Sequence, residues 1–244
     1  MKFSRLRLLL STAVVTLLLA GMVFAAQKKT RQGDTFWQRA DLAEIPLRSI
    51  AMLPPVTFDH NLEVEKLSGD LLGASLRGAR YRWIGPSNAR TLIMRETDGD
   101  SLLKAVQARL LDVPRVDSLG ARELCHRLRV SAVLGLRIDL WEKLEMEFNQ
   151  AGKPSTSVGM TASLVDSTGR ALWSATGTEF EEGPYHDPTQ AVVGVKSSGL
   201  GQQPITNQAG APPYRDVAIA MLIRWTAHFP APPDAPAEIG RAHV

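Results

Sequence analysis

Cysteine is nearly absent from this chain. Cys125 is the only one in 244 residues, so no intramolecular disulfide framework is available. The five histidines, His60, His126, His186, His228 and His243, include no His-x-x-x-His pair, and no Cys-x-x-Cys accompanies them. The usual ligand spacings for zinc are therefore missing. No Gly-x-Ser-x-Gly elbow occurs, which leaves nucleophilic serine chemistry without support. No glycine-rich phosphate loop follows the first apolar run either. Pro54-Pro55 stands where it would begin, and prolines offer an anion no backbone donor. An excess of one charge is lacking too. The chain carries 28 Lys+Arg against 25 Asp+Glu, and Lys2, Arg5 and Arg7 at the amino terminus account for the difference. The remainder is formally neutral, which excludes a general nucleic-acid binder read from charge.

What is present begins with the first 26 residues, MKFSRLRLLLSTAVVTLLLAGMVFAA. A basic start, an apolar run from Leu8 to Ala20 and small residues at Ala25 and Ala26 make the pattern of a secretory signal. Val23-Phe24-Ala25 is the expected recognition triplet, giving a signal peptide over 1–25. A retained inner-membrane anchor is the alternative. The stretch 8–26 is close to the roughly 20 residues needed to cross a bilayer, and Lys28, Lys29 and Arg31 disfavour translocation. Leu19-Ala20-Gly21 reads like the run before a lipidated cysteine, but Met22 follows. Its thioether cannot form the bond to lipid that a thiol can. The expected location is the periplasm or cell envelope, with membrane contact only if the leader is retained.

The rest is long enough for one domain with a substantial core. Residues 26–47 read as a polar linker, 48–230 as a single domain, and 231–244 as a disordered proline-rich tail. Arg48 to Leu53 is a short apolar run stopped by Pro54-Pro55, as for a central strand covered on both faces. Leu62, Leu67, Leu71, Leu72 and Leu76 recur at helical spacing between His60 and Gly78. Tyr81 to Ile84 is a second strand. Ser87 is placed to cap a short helix, a further helix runs from about Asp100 to Leu111, and Asp117 or Ser118 caps another ending near Arg129.

From Leu134 the alternation is strict, with Leu134, Leu136, Ile138 and Leu140 on one face and Gly135, Arg137, Asp139 and Trp141 on the other. Short turns at 149–154 and 166–170 join this strand, continued to Phe148, to two partners carrying Val158 to Leu164 and Ala171 to Phe180. That predicts an antiparallel meander. Residues 181–212, rich in glycine and proline, read as a long loop, either disordered or a docking segment through Val192, Val193 and Val195. Tyr214 to Phe229 is the last helix. The fold expected is α/β: a three-layer mixed sheet with flanking helices, β-α-β first, then helices, then the meander and a final helix.

Candidate chemistry is sparse. Cys125 shares an apolar helical face with Ala121, Leu124 and Leu128 and reads as a small buried hydrophobe. His126 is its neighbour in sequence and points elsewhere, so no Cys/His dyad is expected. His186-Asp187, near Tyr185 and Glu181-Glu182, reads as a solvated polar loop. Glu142, Glu145 and Glu147 read as a wet face paired with Lys143 and Arg137. No catalytic residue, metal or cofactor is expected.

Three segments, Ser49–Pro55, Leu128–Gly135 and Ala162–Ser174, together resemble in order and spacing the bacterial envelope proteins related to the amino-terminal domain of TolB and to the curli-secretion lipoprotein CsgG. The resemblance covers about residues 48–230. It implies a three-layer α/β domain that binds other envelope components, with no catalytic residues to carry over. Met22 departs from the lipoprotein members, and no pair of long amphipathic segments suited to a secretion pore is present. The function expected is a non-enzymatic periplasmic or cell-envelope adaptor or assembly accessory. It would act on other envelope proteins, outer-membrane or peptidoglycan-associated ones included, through a sheet edge or the 181–212 segment with Tyr185. A small-ligand or glycan-binding module using Trp141 and Trp173 on a wet sheet face is the alternative. A hydrolase assembled from scattered residues is the third reading.

Overall fold

The computed structural model describes residues 33–77, 81–147, 149–186, 194–198, 201–205 and 210–231. The leader, Val192 and Val193, and the tail beyond residue 231 lie outside them. The chain divides at Gln32, and the compact unit described here starts at Gly33.

The sheet is mixed, and the sequence explains its order. Strand β2 (Ser49–Met52) is buried throughout. It pairs in parallel with β4 (Arg82–Ile84) on one side and with β5 (Ala132–Leu144) on the other. Such an apolar run suits a strand covered on both faces. After Pro54-Pro55 the chain resumes as the short β3 (Val56–Thr57), which pairs with β5 opposite Arg137 and Ile138. Strands β5, β6 (Ser155–Asp166) and β7 (Ala171–Glu182) form the expected antiparallel meander.

Residues 33–47 are not a linker. Strand β1 (Thr35–Gln38) pairs antiparallel with β7, and a short 3-10 turn at Leu42–Glu44 buries Leu42. The order is β1-β7-β6-β5-β2-β4, with β3 on β5 as the seventh strand. The segment expected as a structureless loop holds a separate hairpin, β8 (Gly194–Ser198) with β9 (Gly201–Ile205).

Helices fill the two outer layers, which establishes the three-layer α/β class. Helix α1 (Leu62–Leu76) and helix α5 (Tyr214–Ala227) cover one face, burying Leu72, Leu134, Leu136, Met160, Trp173, Met221 and Trp225 in the larger core. Helices α2 (Pro86–Ile93), α3 (Gly99–Asp112) and α4 (Ser118–Leu128) cover the other, around Leu53, Ile93, Val106, Leu124 and Val133. Asn61 caps α1 by accepting from the Glu63 and Val64 backbone N–H groups, both at 3.2 Å. Asp117 caps α4 in the same way. Helix α2 starts two residues earlier than a cap at Ser87 implies, with Gly85 in the cap position. Pro86 takes its first position, where a missing N–H costs nothing.

Helix α4 ends on Arg129 in the left-handed region, at φ 52° and ψ 50°. An L side chain there costs about 1 kcal/mol that glycine avoids. Arg129→Gly should therefore raise stability by about 0.5–1 kcal/mol in urea denaturation. Arg82 reaches only the backbone oxygen of Arg129, so that contact survives the change. A loss of stability would show that the arginine side chain holds the helix end.

The second helical layer is narrower than the sheet. It reaches β6 at Val165 and the β6–β7 turn, where Ser118 donates to the Gly169 carbonyl and Arg122 to that of Thr168. Strands β7 and β1 contribute nothing to that core. Register sets Thr35 opposite Thr176 and Trp37 opposite Ser174, while Phe36 packs into the larger core. Trp37 therefore stands on the bare face, 48% exposed.

Candidate functional site

The outer half of β5 borders a cleft. β2 lies beside β5 only at Ala132–Leu134, and β3 only at Arg137–Ile138. The chain then leaves the sheet through Phe58, Asp59 and His60, the last at φ 54°, and enters α1. β5 continues to Leu144 with no strand on that side among the described residues.

A β-bulge decides what this half of β5 presents. Ile138 lies opposite Met160, but Leu140, not Asp139, lies opposite Gly159. One extra residue reverses the alternation beyond it. The strict pattern expected from Leu134 to Trp141 therefore breaks at Asp139. Leu140 turns to the second face, where Gly159 leaves room: a Cβ there would sit 3.0 Å from that of Leu140. Trp141, expected opposite the leucines, joins their face and packs against the larger core. Asp139 is held on both sides, accepting from Arg137 Nε and Thr161 Oγ1, each at 2.6 Å.

Trp141 stacks on Tyr214, with ring centroids 4.7 Å apart and planes at 17°. Tyr214 is the first residue of α5, which Thr156 anchors by donating to the Pro212 carbonyl at 2.5 Å. This pair walls a cleft of about 520 Å³ lined by Phe58, Asp59, Glu63, Leu67 and Glu142 among others. Phe58 is 61% exposed, and the Arg137 guanidinium lies 5.4 Å from its ring centroid, within cation–π range. Burial raises the Tyr214 phenol above its ordinary value; Glu142 and Glu145 add to this and Lys143 opposes it. The hydrogen bond from Lys143, followed by that from the Ala211 N–H, holds the Glu145 carboxyl below its usual range. Lys143, expected beside Glu145 on the wet face, does pair with it, but along the same chain and not across strands, and the Ala211 N–H is an added partner.

The other candidate positions do not gather here. Trp173 is 1% exposed, packed edge-on against Trp225 and Phe229 at 6.5 and 5.0 Å. It is a core residue and cannot present a ring to a ligand. Tyr185 is exposed beside His186, which bridges Gly152. Val195 falls in β8. No cluster of three or more His, Cys, Asp or Glu among the described residues is placed to hold a metal. Cys125 is buried in the smaller core. Burial, with a smaller contribution from Asp166, pushes its thiol up to about 12. It should resist a thiol-exchange reagent at pH 8 in the folded protein and react promptly in denaturant. Prompt reaction in native buffer would place it in an open crevice.

Sequence reasoning passed over Phe58, Tyr214 and Trp37. Tyr214 directly follows two prolines at a helix start, a legible hint of a fixed position. Nothing in the sequence marked the bulge that brings Trp141 to it.

The fold and cleft define a mixed-sheet, three-layer α/β protein with an open-sided aromatic groove. No family model matches the sequence, and no curated protein matches it. Among solved structures it is similar to the PelC dodecamer from Paraburkholderia phytofirmans, at 16% identity and TM-score 0.39, over 78% of this chain and 93% of that one. It is similar to lipoprotein GNA1162 from Neisseria meningitidis, at 21% identity and TM-score 0.38, over 55% and 83%. It also overlaps the hypothetical protein CT253 from Chlamydia trachomatis, at 12% identity and TM-score 0.34, over 56% and 73%.

Proposed function

We propose that this protein is a non-enzymatic accessory of the cell envelope that acts by protein–protein contact. The leader pattern in residues 1–26 supports the location. The exposed strip of β1 and β7, which no described helix covers on that face, is the observation that carries the mode of action. Beyond Thr176, where pairing with β1 stops, β7 runs on to Glu182 with no further strand beside it among the described residues. The face beside it bears Trp37 and the threonines. A strand end that no described strand covers, beside an exposed tryptophan, suits strand addition or face packing by another chain. A photoreactive phenylalanine analogue at Trp37, in the full chain expressed in its own envelope, should give discrete cross-linked adducts. The same probe at Arg109 on α3 should not. Equal labelling from both positions, or none from Trp37, would overturn the proposal.

A second reading, binding of a small ligand or glycan, is favoured by the stacked Trp141–Tyr214 wall. Aromatic faces stack well on sugar rings, and carboxylates accept from hydroxyls. Titration with N-acetylglucosamine oligomers while following tryptophan fluorescence tests it, an unchanged spectrum being the contrary result.

A further inference from the structure

Features of three kinds converge at the cleft beside the outer half of β5. The first is backbone. From Asp139 to Leu144 this strand has a neighbour on one side only among the described residues, and its exposed end includes Leu144. Because β3 stops at Thr57, an incoming extended chain could take up the line that β3 abandons. The second is aromatic. Trp141 and Tyr214 form a stacked wall beside that line, and Phe58 stands exposed with it in the cleft lining.

The third is charge. Asp59, Glu63, Asp139 and Glu142 line the cleft, with no lysine or arginine among the lining residues. Asp139 is matched by Arg137, and the nearby Lys143 is engaged by Glu145 at 2.6 Å. Asp59 accepts from the Asn61 N–H. Glu63 lies in the first turn of α1, where the helix dipole already favours it. Glu142 has no such local reason. It stands on the open strand end within reach of the same opening.

We infer that this cleft binds an extended segment of a partner protein carrying lysine or arginine, added as a strand along Asp139–Leu144. One cationic side chain lies against the Trp141–Tyr214 wall with Glu142 and Glu63 as counter-charges. The inference rests on the protein-contact reading and names its chemistry. Strand addition supplies backbone hydrogen bonds, while alternate side chains of the guest give specificity. A cation desolvated against an aromatic face and met by a carboxylate is favoured over a neutral side chain. A second copy of this chain is a poor guest through the same edge, since Glu142, Glu145 and Glu147 would meet their own kind.

Isothermal titration calorimetry with the purified full chain tests this, using the peptide acetyl-Thr-Lys-Thr-Lys-Thr-amide as probe. Saturable one-to-one binding is expected. Affinity should fall by about tenfold or more with glutamine in place of lysine, with alternate backbone nitrogens methylated, or with Trp141→Ala in the protein. Glu142→Gln, an exposed change that leaves the core intact, should weaken binding and flatten its salt dependence, whereas Glu96→Gln should do neither. Equal binding of the glutamine peptide, no binding of the lysine peptide, or competition by neutral N-acetylglucosamine oligomers would overturn the inference. Cross-linking at Trp37 reads a different surface. Its success alongside failed peptide binding would remove this inference and leave the contact function standing.

Discussion

Trp173→Ala should lower the unfolding free energy by about 3–5 kcal/mol, the usual cost of a large side chain deleted from a packed core. Trp173→Phe should cost far less, under about 2 kcal/mol. The asymmetry has a specific source. Trp173 lies between the sheet and α5 at 1% exposure, edge-on to Trp225 and Phe229. Its Nε1 is buried and finds no acceptor among the described residues. An unmet buried donor is a desolvation loss already present in the native protein, so phenylalanine gives up area but removes that loss. Trp225, whose Nε1 is also unmatched, should show the same ordering. Urea titration followed by circular dichroism avoids the lost fluorophore. A phenylalanine variant as damaged as the alanine variant would mean that the indole N–H is satisfied after all.

Asp166 should give the largest effect among the polar residues. Its side chain is 5% exposed in the turn joining β6 to β7. It accepts from the Thr168 N–H at 2.9 Å, the Thr168 hydroxyl at 2.6 Å, the Arg170 N–H at 2.9 Å and Arg170 Nε at 2.9 Å. Burial alone would raise this carboxyl, but the bonds from Thr168 and Arg170 outweigh it, and the net displacement is downward. Asp166→Ala strands two backbone donors and a guanidinium, so a loss of about 3 kcal/mol at pH 7 is expected. A folded value below the unfolded one makes the contribution complete above the unfolded carboxylate value near 3.9. It fades as pH falls through the folded value. The gap between wild type and Asp166→Asn should therefore narrow steadily below pH ~4. A gap independent of pH would show that the carboxylate charge contributes nothing to the turn.

The framework was legible because its signals are local. Pro54-Pro55 stopped β2, Asp117 marked the start of α4, and glycine-bearing turns at 149–154 and 166–170 framed the meander. Burial on both faces of β2 followed from its unbroken apolar run. What stayed hidden depended on pairing. β1, only four residues long, carries no alternation strong enough to distinguish it from a polar linker, and only its register on β7 defines it. Trp173 sits on a strand whose two faces are both partly apolar, so its side could not be assigned from alternation. Trp141 is the clearest case. Periodicity extrapolated through Asp139 put it on the wrong face, because a bulge is a feature of two strands and appears in neither alone. Phe58 and Tyr214, far apart in sequence, meet it only because β3 ends early and α5 begins beside it.

The extra residue at Asp139 makes chain length at this point matter more than residue identity. Removing it would act on the protein as a frameshift acts on a gene: everything from Leu140 to Leu144 would change sides, returning Leu140 to the interior and turning Trp141 outward. An alignment of relatives that closed this single position would pair inward residues with outward ones along the whole distal strand. Tolerance of insertions and deletions, more than tolerance of substitution, is therefore the property by which this part of the molecule can be followed through evolution.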